Sequence, residues 1–131
     1  MIKVRFKVHG REINQIIGEE LELYLEDKAN IIDVISEIDK IILAKNKFPS
    51  KDYGSLLHWV YNPVEERFYE QTAIHAYTKS NPFLNVRNDP RMKLPDNTTI
   101  ILIPGGPCIS AGDKPISYED FKNSLNQLRT R

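Results

Sequence analysis

Three histidines (His9, His58 and His75) and one cysteine (Cys108) are the side chains best suited to hold a metal or attack a carbonyl carbon. None stands at the short spacing from another that builds a zinc site, so no metal centre is expected. Nothing in the sequence sets a base beside Cys108, which reads as an ordinary reduced thiol. Lone histidines on strands are usually surface or hydrogen-bonded core residues. Neither a phosphate-binding Walker loop nor a serine nucleophile elbow is present, and an enzyme in its own right is not expected. Two paired features remain: Gly105-Gly106, and a narrow apolar stripe near the carboxyl end formed by Tyr118, Phe121, Leu125 and Leu128. On residues alone, Gly105-Gly106-Pro107 is a flexible exit from whatever element precedes it.

The elements that must position these residues are legible in patches. Ile2, Val4, Phe6 and Val8 alternate with Lys3, Arg5, Lys7 and His9, the period of a half-buried strand. From Glu20 the alternation returns with the opposite charge: Leu21, Leu23 and Leu25 against Glu20, Glu22, Tyr24 and Glu26. Antiparallel pairing would join the apolar rows and set basic residues across from acidic ones. The stretch 10–18 is too long for a tight hairpin and is expected to hold a short helical turn carrying Ile13, Ile16 and Ile17. Asn30 caps a helix whose first turn carries Asp33, and Ile31, Ile35, Ile38 and Ile42, widened by Val34 and Ile41, form its apolar side. Residues 56–61, rich in aromatic and branched side chains, predict a strand, and Asn62-Pro63 a turn. One or two short strands are expected in 67–78 and a loop in 81–93. Leu94-Pro95-Asp96-Asn97 is a turn feeding a strand from Thr98 to Ile103, whose continuous apolar run predicts cover on both faces. Ser117 caps a final helix over about 117–129 that must dock on its own sheet or on a partner.

Composition narrows the function classes. The 131 residues carry eighteen basic and eighteen acidic side chains, without the surplus that drives general binding to nucleic acid or anionic lipid. Trp59, Tyr61, Phe68, Tyr69 and Tyr77 could in principle stack on bases, with Lys3, Arg5 and Lys7 on phosphates; core packing explains them more simply. No apolar run is long enough to cross a bilayer. A single cysteine permits no intramolecular disulfide, and MIKVRFKVHG is not a secretion signal, so a reducing cytoplasm is expected.

Strand, short turn, strand, long helix, variable middle and closing central strand is the order of a β-grasp domain, the architecture of ubiquitin. Met1-Ile2-Lys3-Val4, then Gly10-Arg11-Glu12, then Gly18 before an acidic strand resembles the small, sulfur-carrying subunit of molybdopterin synthase and the related thiamine-type carriers. Leu94-Pro95-Asp96-Asn97 followed by Thr99-Ile100-Ile101-Leu102-Ile103-Pro104-Gly105-Gly106 is similar to that family's closing sequence. The resemblance covers about the first 45 residues and about the last dozen up to Gly106. It implies an α+β fold, a mixed sheet packed on one long helix. Residues 1–106 would form the β-grasp domain with an enlarged middle, 46–93, and residues 107–131 an extension bearing the added helix.

The resemblance also implies a function. In the family the terminal glycine carboxylate is adenylated by a separate, ATP-using activating enzyme and converted to a thiocarboxylate, which a partner accepts; no cofactor is bound by the carrier. Gly105 and Gly106 are the residues so nominated, and a tail without β-carbons suits a narrow channel. The partners implied are that activating enzyme and a sulfur acceptor or a target protein. The chain departs from the pattern in that 25 residues follow Gly106 (131 minus 106), so its carbonyl is locked in an amide. Carrier action requires cleavage after Gly106; Pro107 is a poor residue beyond a protease cut, and Cys108 lies one position too far for an acyl shift to sulfur. The alternative is a non-conjugating interaction module in which the diglycine is a linker and Tyr118, Phe121 and Leu125 meet a partner.

Overall fold

The computed structural model of the chain describes residues 1–9, 14, 17–45, 55–104 and 116–129. The amino-terminal alternation becomes strand β1 (Ile2–Val8), and the acidic alternation becomes β2 (Leu21–Leu25). They pair antiparallel with Ile2 opposite Leu25, Val4 opposite Leu23 and Phe6 opposite Leu21, so the apolar rows share a face. On the other face Lys3 reaches Glu22 at 3.1 Å, while Arg5 lies 3.6 Å from Glu22 and 3.9 Å from Glu20. These exposed pairs contribute a few tenths of a kcal/mol each; they favour the register that the buried row enforces. Between the strands, Ile17 is buried and the Gly18 N–H donates to the Asn14 carbonyl at 2.8 Å, while Ile13 and Ile16 lie outside the described residues. Gly18 has φ +85°, a conformation that only glycine adopts without strain.

Helix α1 (Ile31–Ala44) begins where the cap pattern placed it. The Asn30 side chain accepts from the Asp33 N–H at 3.1 Å and the Asp33 carboxylate accepts from the Asn30 N–H at 2.9 Å, a reciprocal capping box. Ile31, Val34, Ile35, Ile38 and Ile42 are wholly buried and share one core with Val4, Phe6, Ile100 and Leu102. Isoleucine is an indifferent helix former; burial of this stripe is what holds the helix in place.

Residues 56–61 form no single strand. They make a short helix, α2 (Leu56–Val60), followed by β3 (Tyr61–Asn62). Two acceptors explain the correction. The Ser55 hydroxyl accepts from the His58 N–H at 3.0 Å, and the Asp39 carboxylate, arriving from α1, accepts from Leu56 at 2.6 Å and Leu57 at 3.1 Å. Those are the N–H groups that a helix start leaves without partners, and satisfying them overrides the strand preference of Trp59 and Val60. β3 pairs with β4 (Arg67–Phe68) across a turn in which Asn62 Oδ1 accepts from Val64 and Glu65.

The main sheet is completed by β5 (Ala73–Tyr77) and β6 (Thr98–Ile103), in the order β2-β1-β6-β5. β6 runs parallel to β1, with Phe6 opposite Ile100, and antiparallel to β5. The amino-terminal hairpin, the helix that follows it and a closing strand lying parallel to the first define a ubiquitin-like β-grasp of the α+β class. Within β6, Thr98, Ile100 and Leu102 are buried, Ile101 is half-buried and Ile103 is 43% exposed. Cover on both faces is therefore not found, because α1 packs on one side of the sheet and leaves the other largely open. Residues 81–93 form a loop carrying one isolated bridge, Leu84 to Ala76. The last element, α3 (Tyr118–Arg129), starts at the Ser117 cap, whose hydroxyl accepts from the Asp120 N–H at 3.2 Å.

Candidate functional site

The route toward the diglycine is held at both ends of β6. Before the strand, the Lys3 N–H donates to the Asp96 carboxylate at 2.8 Å and the Asn97 N–H donates to the Lys3 carbonyl at 2.9 Å, stitching the turn to β1. Asn97 adopts φ +62°, a conformation asparagine tolerates better than most side chains. The Thr98 hydroxyl donates to the Pro95 carbonyl at 2.6 Å. At the far end the His9 N–H donates to the Leu102 carbonyl at 2.8 Å, and Pro104 is buried. Gly105, Gly106 and Cys108 follow directly and lie outside the described residues.

A second constellation gathers where the extension returns. His58, 2% exposed, makes a 2.6 Å hydrogen bond through Nε2 with the Ile116 carbonyl, and the Ile116 N–H donates to the hydroxyl of Tyr69, 1% exposed, at 3.1 Å. Both backbone groups of Ile116 are thus held by side chains from the enlarged middle. The His58 ring contacts Phe121 and Tyr118, with centroids 5.2 and 5.3 Å away. Burial lowers the pKa of His58, against the opposing pull of the Ile116 carbonyl; because a carbonyl oxygen only accepts, Nε2–H is the donor in that bond.

Tyr69 is itself fixed by Arg87, whose guanidinium donates to the carbonyls of Tyr69, at 3.0 Å, and Thr72. Those bonds seat the cation among acceptors of the 69–72 turn and bind the loop to the middle segment. A cleft of about 400 Å³ lies between α1, residues 55–57 and α3, lined by Asp39, Leu43, Ser55, Tyr118, Phe121 and Leu125 among others. Within it the Asp39 pKa is raised by burial to about 6, although its bonds from Leu56, Leu57 and Ser55 pull the other way.

The stripe named as a partner surface is divided by this arrangement. Phe121 is 3% exposed and belongs to the chain's own core, Leu125 is half-buried and Tyr118 is 38% exposed. The segment therefore docks on His58 and Tyr69 of the middle segment, and Phe121 is a fold contact. Of the histidines, His9 and His75 are exposed, and no group of three or more His, Cys, Asp or Glu is placed to hold a metal ion among the described residues. Tyr61, Phe68 and Tyr69 are buried, with Tyr61 and Phe68 packed edge to face at 5.1 Å, so these rings serve the interior. Sequence reasoning missed Asp39 and Tyr69 as positioning residues. Ser55, three residues before His58, was the one local signal of a helix start there.

No family model and no curated protein matches the chain. Among solved structures, a protein of Pyrococcus furiosus assigned as molybdopterin converting factor subunit 1 is similar, with a TM-score of 0.48 and 19% identity over 80% of this chain and 99% of that one. The β-grasp class rests on the strand order and directions of this chain itself. Among the described residues no helix is long and apolar enough to cross a membrane.

Proposed function

We propose that the protein is a ubiquitin-like carrier that acts through partners, its diglycine becoming reactive only after cleavage behind Gly106. The observation that carries this reading is the closing strand, laid parallel to β1 in the centre of the sheet and ending at Ile103, two residues before Gly105. A diglycine at the mouth of that strand is where such a carrier needs it: the stitched turn at 96–97 fixes the strand's start, and the buried strand fixes the direction of its exit.

Once freed, the Gly106 carboxylate would attack the α-phosphorus of ATP on a separate activating enzyme, releasing pyrophosphate. Sulfide would then displace AMP to leave a thiocarboxylate, or the amine of a target lysine would displace AMP to form an isopeptide bond. The chain itself supplies recognition and a nucleophilic terminus.

A second reading, a non-conjugating interaction module, draws support from the integration of α3 into the fold through Phe121 and Ile116. Intact-mass spectrometry of the protein from its native cells decides between them. The expected result is a species ending at Gly106, part of it as the thiocarboxylate or joined to a target; full-length chain alone would defeat the carrier reading and leave the module.

A further inference from the structure

We infer that the face formed by His58 and Tyr69 is an acceptor site for the helical segment 116–129, and that it retains this segment without covalent help. Cutting the chain between Gly106 and Ile116 then yields a two-chain protein instead of a core and a shed peptide. The inference deepens the carrier reading and rests on it for the natural occurrence of the cut, not for the existence of the site.

Three contacts, from Ile116, Phe121 and Tyr118 of the segment, converge on this face. The first is polar: the carbonyl of Ile116 meets His58 Nε2 at 2.6 Å and its N–H donates to the Tyr69 hydroxyl at 3.1 Å. His58 and Tyr69 are almost fully buried, so in the docked state these bonds are shielded from competing water. The second is apolar: Phe121 is 3% exposed, with its ring 5.2 Å from that of His58. The third is aromatic: the Tyr118 ring lies 5.3 Å from that of His58; within the segment Tyr118 also meets the Phe121 ring at 6.0 Å and the Lys122 ammonium at 4.9 Å, contacts of the helix with itself.

The acceptor side is equally well supported. α2 is capped by Ser55 and Asp39, and Arg87 holds the turn that carries Tyr69, so the backbone that bears both side chains is fixed by contacts outside the segment. The twelve-residue α3 is too short to be a stable helix alone in water, so docking and helix formation are coupled. Such a site recognises a particular chemistry: a free backbone amide and carbonyl one turn ahead of an aromatic ring, on an amphipathic helix. In the carrier reading, the activating enzyme would then meet a β-grasp core with the helix still attached, and the helix would be part of what it recognises.

The test uses the full chain with a protease recognition sequence inserted between Ala111 and Gly112, cut in vitro and followed by gel filtration and native mass spectrometry. The two fragments are expected to co-elute and to appear as one non-covalent complex. Phe121→Ala is expected to weaken retention by about a hundredfold. Tyr69→Phe, which leaves the Ile116 N–H without its acceptor, is expected to weaken it by about tenfold. Separation of the fragments from the cut wild-type chain at micromolar concentration would overturn the inference, as would retention indifferent to both substitutions. Should Phe121→Ala fail to fold before the cut, Tyr69→Phe alone decides. Natural processing is read separately from the endogenous protein: its absence removes the carrier reading and leaves the acceptor site standing, whereas loss of the helix from the cut chain does the reverse.

Discussion

Asp39 sits on α1 yet works on another element, seventeen residues away, where both its oxygens receive the first N–H groups of α2. Burial raises its pKa from 3.8 to about 6, so the folded chain holds the proton more tightly than the unfolded one. The stability this group contributes is full below about pH 3.8 and is lost as pH rises through about 6. His58 has the opposite sign: its pKa is lowered from 6.5 by burial, so its contribution is present above 6.5 and lost as pH falls through the lower folded value. The two run against each other, and only a difference measurement separates them. Between pH 7 and pH 5 the wild type is expected to gain about 1 kcal/mol over Asp39→Asn, read from urea midpoints at the two pH values. A gap that does not move with pH would mean that Asp39 titrates as an ordinary exposed carboxylate. None of this was legible in sequence, where Asp39 stands between Ile38 and Lys40 like any solvent-side residue of an amphipathic helix.

At the scale of elements, local signals were reliable where they agreed with packing. The Asn30 and Asp33 pair announces the start of α1, and both of its hydrogen bonds are present. Asn30→Ala removes the side-chain acceptor for the Asp33 N–H and is expected to lower stability by about 1 kcal/mol, with the urea slope unchanged. The opposed charge rows of β1 and β2 likewise announce their pairing, since only one register joins the apolar rows and the ion pairs together. The signal failed at 56–61, where aromatic and branched residues imitate a strand while a carboxylate from a distant helix supplies the cap. It failed again at Ile101 and Ile103, because an apolar run does not say which of its faces the fold will cover. In both places the deciding partner lies elsewhere in the chain.

At the scale of the molecule, residues 116–129 behave as part of the body that holds them. Deleting residues 107–131 strips Phe121 from His58 and leaves the Tyr69 hydroxyl facing water, with an expected loss of about 2 to 4 kcal/mol by denaturant unfolding. A truncated chain as stable as the full one would show that the helix adds little to the core it touches. The β-grasp order was legible from the two ends of the sequence. How the extension is held was not, since it depends on a histidine and a tyrosine with no local reason to meet Ile116.

The strands nearest the two ends of the β-grasp, β1 and β6, lie side by side and point the same way. Tension applied between Met1 and the chain beyond Ile103 would therefore slide one strand along the other, loading their shared hydrogen bonds together rather than peeling them apart in turn. A machine that tugs on the stem of the diglycine would feel a stiff anchor.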